Sequence, residues 1–374
     1  MQQATDIKRF DHWFDETGPA AVVLLEQLQS VVEGESVIFP PTYAPEQSSS
    51  SKKSEYAIDT LKDGRKVCQV DSVGSQANRM EPIFKNEQYC SLVPQVTVAV
   101  ATGHKVNLLD AGHRAADAIV RFSTKKKELA QAFGAWLGGD ASKLAEIAPT
   151  SLVFGAWDSR DTQAKAPRIV SSIIRAYDVE MLTRSAQYIP ALDYNREVLG
   201  ADALLSDDQK SEFGLSHVPA PKALGGILVH GEIRKEATLN CVVLRSLAAT
   251  TNGMIDTDRT LQLRRYILGL ALVALTKPMA HNLRQGCLLV GVEDKPAEWK
   301  LVYSNGKRET FQLLHQDALE YAKNAAGKFG VTDKIEAQFD PKLLKVAVDD
   351  KVGQKEAKKA AKKTVKDSKT SKEG

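Results

Sequence analysis

GGILVHGEIRKEATLNCVVLRSL (residues 225–247), followed at 257–278 by TDRTLQLRRYILGLALVALTKP, is the stretch on which the fold turns. The first segment is strand-rich and the second carries a helical apolar pattern. Asp256 and Asp258 flank the helix start, where negative charge favours the exposed N–H groups. QGCLLVGV (285–292) and EWKLVYS (298–304) read as two further strands, and LLHQDALEYAKNAAGKFG (313–330) as another helix. The resulting β-α-β-β-α order is that of an α+β fold and fits half or more of a ferredoxin-like (RRM-like) sandwich with insertions.

Working toward the N-terminus, residues 190–225 carry Pro190, Pro219, Pro221 and Gly225-Gly226 with little periodicity, and are expected to form a long loop. Upstream, TSLVFGAW (150–157) and RIVSSIIRAYDVEML (168–182) read as strands, separated by the polar connector DSRDTQAKAP (158–167). A helical block covers 111–148. PQVTVAVAT (94–102) is a buried strand that HKVNLL (104–109) pairs with across Thr102-Gly103. Asp63-Gly64 marks a hairpin between EYAIDTLK and RKVCQVDS. SVIFPPTY (36–43) is extended and PEQSSSSKKS (45–54) is a polar loop. The first element, with Val22, Leu24, Leu25, Leu28, Val31 and Val32 behind Pro19, is expected to be a helix. One domain is expected over 1–348, followed at 349–374 by a lysine-rich tail too poor in apolar residues to fold.

The tail from Lys351 onward holds nine lysines against Glu356, Asp367 and Glu373, a net charge of +6. The whole chain stands at +3, so the body is near −3 and overall charge identifies no partner. Four scattered cysteines, Cys68, Cys90, Cys241 and Cys287, form no CxxC pair and point to reduced thiols in a cytoplasmic setting. The charged N-terminus lacks a signal-peptide core, and the longest apolar run, Tyr266–Leu275, is too short for a bilayer. No phosphate loop, GxGxxG, HExxH, GxSxG or EF-hand pattern occurs, so neither cofactor, metal nor enzymatic activity is expected.

What the sequence does offer is a set of polar, basic segments beside strands and turns. GSQANRMEP supplies Gln76, Asn78 and Arg79; GHRAADAIVR supplies His113, Arg114 and Arg121; DSRDTQAKAPR supplies Arg160, Lys165 and Arg168. Arg175, Arg184, Arg234 and Lys235 follow on later strands. Arginine suits phosphate because its planar fork presents paired donors and stays charged. Nearby Phe154, Trp157, Tyr177 and Tyr188 offer rings on which unpaired bases stack. The competing reading makes the charges solvated or edge-protecting, Phe154 and Trp157 core residues, and Arg114 the partner of Asp110 or Asp117.

Taken in order, SQANRMEP, GHRAADAIVRFS, VFGAWDSRDTQAKAPRIVSSIIRAYDVEMLTRSAQY, GLSHVPAPKALGGILVHGEIRKEATLNCVVLRSL and LRRYILGLALVALTKP resemble one family over roughly residues 15–330. It is the Cas-seven-type backbone subunit of type I-G (formerly I-U) CRISPR Cascade, a RAMP-superfamily member. The resemblance implies a modified RRM-like palm with finger-like and thumb-like insertions, the latter placed at 190–225. It implies copies stacked head to tail along a guide RNA, target DNA engaged through that guide, and other Cascade subunits as partners, with no membrane. The RNA contacts it points to are Gln76, Asn78, Arg79, His113, Arg114, Arg160, Lys165, Arg168 and Arg184. A RAMP-type RNase, with Asp158 or Asp161 as the loop aspartate, is the alternative. Guide processing through His113 or His217, and an interaction protein with no nucleic-acid role, are further ones.

Overall fold

Ala21–Ser30, expected as a helix, is a strand and the centre of the molecule. Apolar residues on both of its faces hid the two-residue alternation: Val22, Leu24 and Leu28 are buried on one face, while Val23 and Leu25 are half-buried on the other. The computed structural model describes residues 6–34, 36–44, 55–192, 194, 206–215, 218–332 and 334–349. Within them the mixed α+β chain builds a nine-stranded antiparallel sheet curled as a half-barrel. Its strands are β1 (Ala21–Ser30), β2 (Ile58–Thr60), β3 (Lys66–Asp71), β4 (Val170–Tyr177), β5 (Ile233–Asn240), β6 (His281–Arg284), β7 (Cys287–Gly291), β8 (Glu298–Val302) and β9 (Arg308–Thr310). They run in the order β6-β7-β1-β5-β4-β3-β2, with β8 also paired to β1 and β9 to β8. The expected Asp63-Gly64 hairpin joins β2 to β3, with Gly64 at φ 86° as such a turn requires.

The register places Val22 opposite Leu239, Leu24 opposite Ala237 and Leu28 opposite Ile233, all on one buried face. Against the Val22–Leu24 end of that face lie α2 (Thr257–Thr276) and α3 (His315–Phe329), while Leu28 and Ile233 join the second core below and α1 (Val73–Met80) packs beside β4. From Leu263 to Leu275 α2 is buried almost all round except at Arg264, the mark of a central core helix. Asp256 caps it by accepting from Arg259 N–H at 2.9 Å. Tyr266 stacks on Phe329 of α3 at 4.7 Å. A second, smaller core gathers Ile38, Cys68, Ile174, Ile227 and Leu289.

Other expectations hold or shift for identifiable reasons. Gln95–Ala99 pairs with Lys105–Asn107 as expected, and also lies parallel to Lys334–Gln338. Thr150–Phe154 is a one-turn helix rather than a strand, and only Ala156–Trp157 is extended. All five of its side chains are buried, and a short apolar run carries no period that separates helix from strand. Cys241–Ser246 is likewise helical, capped by Asn240, whose side chain accepts from Val243 N–H at 3.0 Å.

The expected 190–225 loop is corrected in part. Val218–Val229 is a strand paired with Val179–Tyr188, with Val37–Ile38 as the third member, and Asp207–Glu212 is a helix with a Ser206/Gln209 capping box. Pro219 and Pro221 masked the strand; one register shift in this pairing spans Pro221 and a second falls at Gly225-Gly226. Residues 45–54, 193, 195–205, 216–217 and 350–374, which include the expected polar loop, His217 and the lysine tail, lie outside the described residues. Among the described residues, no helix is long and apolar enough to cross a membrane and no cluster of His, Cys, Asp and Glu is arranged to hold a metal ion.

Candidate nucleic-acid interface

The connector 158–167 is a built hairpin. Ala156–Trp157 pairs antiparallel with Lys165–Ala166, setting Trp157 directly opposite Lys165 and Ala156 opposite Ala166. Directly opposed residues share a face, so the alanines turn inward while Trp157 and Lys165 turn outward together. Lys165 Nζ lies 5.9 Å from the Trp157 ring centroid. Asp158 closes the loop: its Oδ2 accepts from the N–H and hydroxyl of Thr162 at 2.9 and 2.8 Å, and the residue is 5% exposed. Arg160 and Asp161 are left on the outside of that loop.

Facing the hairpin is Arg114, buried and held at φ 52°, a left-handed conformation that costs a side-chain-bearing residue on the order of 1 kcal/mol or more. Four groups fix its guanidinium. Nη1 donates to Gly155 O at 3.2 Å, Nη2 donates to Asn78 Oδ1 at 3.1 Å, and Nε lies 2.7 Å from Glu81 Oε2. The Phe154 ring centroid is 5.5 Å away. Burial pushes the Glu81 carboxyl up to about 7 against the opposing pull of Arg114 and a hydrogen bond from Thr150. Burial also lowers the Arg114 guanidinium from its usual value, partly offset by Glu81. The partner of Arg114 is thus neither Asp110, which pairs with Lys85, nor Asp117, which accepts from the N–H groups of Ile119 and His113.

Between Arg114 and the hairpin opens a groove of about 510 Å³ lined by His113, Arg114, Gly155, Trp157, Lys165 and Arg168, among others. Gly155 keeps its floor open. At φ 82° it accepts no ordinary side chain, and a Cβ there would meet Arg168 Cγ at 2.7 Å. Arg168 is anchored by Nε donating to Phe154 O at 3.0 Å, which leaves its terminal nitrogens toward solvent. Among the described residues, His113, Arg160, Lys165 and Arg168 make no ion pair with a carboxylate, although all four are exposed.

On α1 and the neighbouring sheet strands, several basic residues are compensated. Gln76 and Arg79 donate to Asp71 Oδ2 at 2.6 and 3.0 Å, and Arg284 approaches its Oδ1 at 3.5 Å. Gln76 Oε1 also accepts from Ser172, and Arg79 donates to the carbonyls of Asn282 and Leu283, so α1 is tied to β3, β4 and β6. Arg175 pairs with Glu236, Arg234 with Glu232 and Glu236, and Lys235 with Glu26.

Of the nine candidates, the fold brings His113, Arg114, Lys165 and Arg168 around one groove, with Asn78 behind Arg114 and Arg160 on the adjoining loop. Gln76 and Arg79 belong to the Asp71 network, and Gln76, like Arg114, is buried. Arg184 stands apart on the Val179–Tyr188 strand. Of the rings, Phe154 is core and Tyr177 is engaged with Arg234 and Glu236, whereas Trp157 is exposed; the Tyr188 side chain lies outside what is described. Glu81 and Gly155 escaped the sequence reading. A lone Glu after a helix and a Gly inside an apolar run carry no local mark of their role.

An α+β chain with an exposed ring and uncompensated cations around one groove has the composition of a site for phosphate-bearing ligands. Residues 17–181 match the model of the family described as CRISPR-associated protein GSU0053, which indicates a CRISPR-associated protein family and supports a role in CRISPR defence. The match takes in every candidate except Arg184. No curated protein matches the chain.

Proposed function

We propose that this chain is a non-catalytic backbone subunit of a type I-G CRISPR surveillance complex, copies of which line up along a guide RNA and hold it for pairing with target DNA. The observation that carries this reading is the gathering of His113, Arg160, Lys165 and Arg168, without carboxylate partners among the described residues, inside the segment that matches a CRISPR-associated family. Exposed cations without carboxylate partners, Lys165 and Arg168 at the groove and Arg160 on the adjoining loop, attract a phosphate backbone irrespective of base sequence. The half-barrel sheet is read as the RRM-like palm of a RAMP protein. The arm of Val179–Tyr188 and Val218–Val229 is read as the base of the thumb-like insertion. Arg114 serves as the rigid rear wall of the groove, held by Glu81 and Asn78, and Gln76 and Arg79 support it through α1.

Asp158 fits this reading better than the RNase one, because its carboxylate is occupied by Thr162 and the residue is buried. The test is size-exclusion chromatography with light scattering, with and without repeat-spacer RNA, followed by gel analysis of the RNA. A defined multimer that weakens with salt and leaves the RNA intact is expected. An unchanged mass at low salt contradicts the reading, and shortened RNA transfers it to a nuclease using Asp158, Asp161 or His113.

A further inference from the structure

Trp157 is 60% exposed, the most exposed of the four tryptophans: Trp136 and Trp299 are half-buried and Trp13 is buried. A single exposed ring is ordinary on a protein surface; what sets Trp157 apart is its place on a paired hairpin, lining a groove that also holds Lys165 and Arg168. The ring is not left at a random angle: the antiparallel pairing with Lys165 and the Thr162–Asp158 closure fix the hairpin that carries it. Trp136 braces the same hairpin, its indole N–H donating to Lys165 O at 3.1 Å. The groove that Trp157 borders, about 510 Å³, falls within the roughly 300–1,000 Å³ of small-ligand sites, enough for one nucleotide and too small for a duplex. Its polar side chains are those of His113, Arg114, Ser159, Lys165 and Arg168, with no carboxylate among its lining residues.

We propose that this groove is a one-nucleotide subsite, in which a single unstacked base of the bound RNA lies on the Trp157 indole while its phosphate engages Lys165 and Arg168. The proposal rests on the RNA-holding reading above and adds what the groove recognises: a base withdrawn from its neighbours. A lysine resting on an exposed indole is held less strongly than a stacked base. The base therefore displaces Lys165 from the ring and frees its ammonium for the phosphate. Because every base has a π-face, the site takes any of the four.

The experiment titrates the full chain at low salt with a short single-stranded RNA and with the matching ribose-phosphate strand lacking bases, following tryptophan emission and anisotropy of end-labelled strand. The RNA should quench Trp157, and Trp157→Ala should weaken its binding by about tenfold. Trp157→Phe, which keeps a ring, should restore most of the affinity. The baseless strand should bind through phosphate alone, lose affinity in Lys165→Ala/Arg168→Ala, and be indifferent to Trp157→Ala. RNA that binds without changing Trp157 emission, or a Trp157→Ala variant that holds both strands as the wild type does, overturns the subsite while leaving the phosphate reading in place. If neither strand binds, the phosphate reading falls and the subsite with it.

Discussion

At the scale of single residues, the groove depends on the Arg114–Glu81 pair. Truncating one member of a buried pair leaves the other without its partner, at a cost of about 3–5 kcal/mol when the survivor is charged. Arg114→Met should therefore lower stability to urea by about 3 kcal/mol above pH 7 and by less below it, where Glu81 takes a proton. The sign follows from the values: an unfolded glutamate ionises near 4.5 and the folded one at about 7, so the folded chain keeps this proton longer. Its contribution to stability is lost as pH rises between those two points. The same proton sets the charge behind the groove. As pH falls through 7, Glu81 becomes neutral and Arg114, Arg168 and Lys165 act together, so RNA affinity should rise by about three- to fivefold. In a His113→Gln background, which removes the imidazole, Glu81→Gln should flatten that pH profile in a filter-binding assay; a profile left unchanged by Glu81→Gln rejects the link. None of this was readable in sequence. Arg114 and Glu81 stand far apart along the chain, and the sequence offered Asp110 and Asp117 as nearer partners that are in fact engaged elsewhere.

At the scale of elements, sequence pattern and structure coincide where burial and period agree and part where they do not. Helix α2 with its Asp256 cap, helix α3 and strands β7 and β8 were legible because each carries its own pattern and boundary. Strand β1 and the helix Thr150–Phe154 were not, since residues buried on both sides lose their period. The Val218–Val229 strand was obscured by prolines that a register shift accommodates. Packing also reverses a propensity rule. Gly to Ala inside a helix ordinarily stabilises by about 0.8–1 kcal/mol, but a Cβ at Gly269 would stand 2.8 Å from Ala322 Cα of α3. Gly269→Ala should thus cost about 1–3 kcal/mol in thermal or urea unfolding by forcing α2 from α3. A stabilised variant would mean that this contact is looser than described.

At the scale of the whole molecule, what matters is where charge is compensated. A net +3 hides a body in which most basic residues near the sheet pair with acids, as Lys235 does with Glu26. Burial opposes ionisation of Glu26, but His281 and Lys235 more than offset it and hold its carboxyl down at about 2. A carboxyl depressed from 4.5 stabilises the fold above that value and loses the contribution as pH falls toward 2, so acid unfolding monitored by circular dichroism should steepen in that window. Replacing Glu26 by Gln should remove that steepening. The uncompensated cations are visible only once the fold brings residues 113 and 160–168 to one place, which composition and spacing did not reveal. The most direct measurement of the central claim is the salt dependence of RNA affinity for the wild type and for Lys165→Ala/Arg168→Ala. If these two side chains neutralise phosphates, the slope of log affinity against log salt should shrink by roughly 1.4, about 0.7 for each contact with a single strand. An unchanged slope would place the RNA backbone elsewhere on the protein.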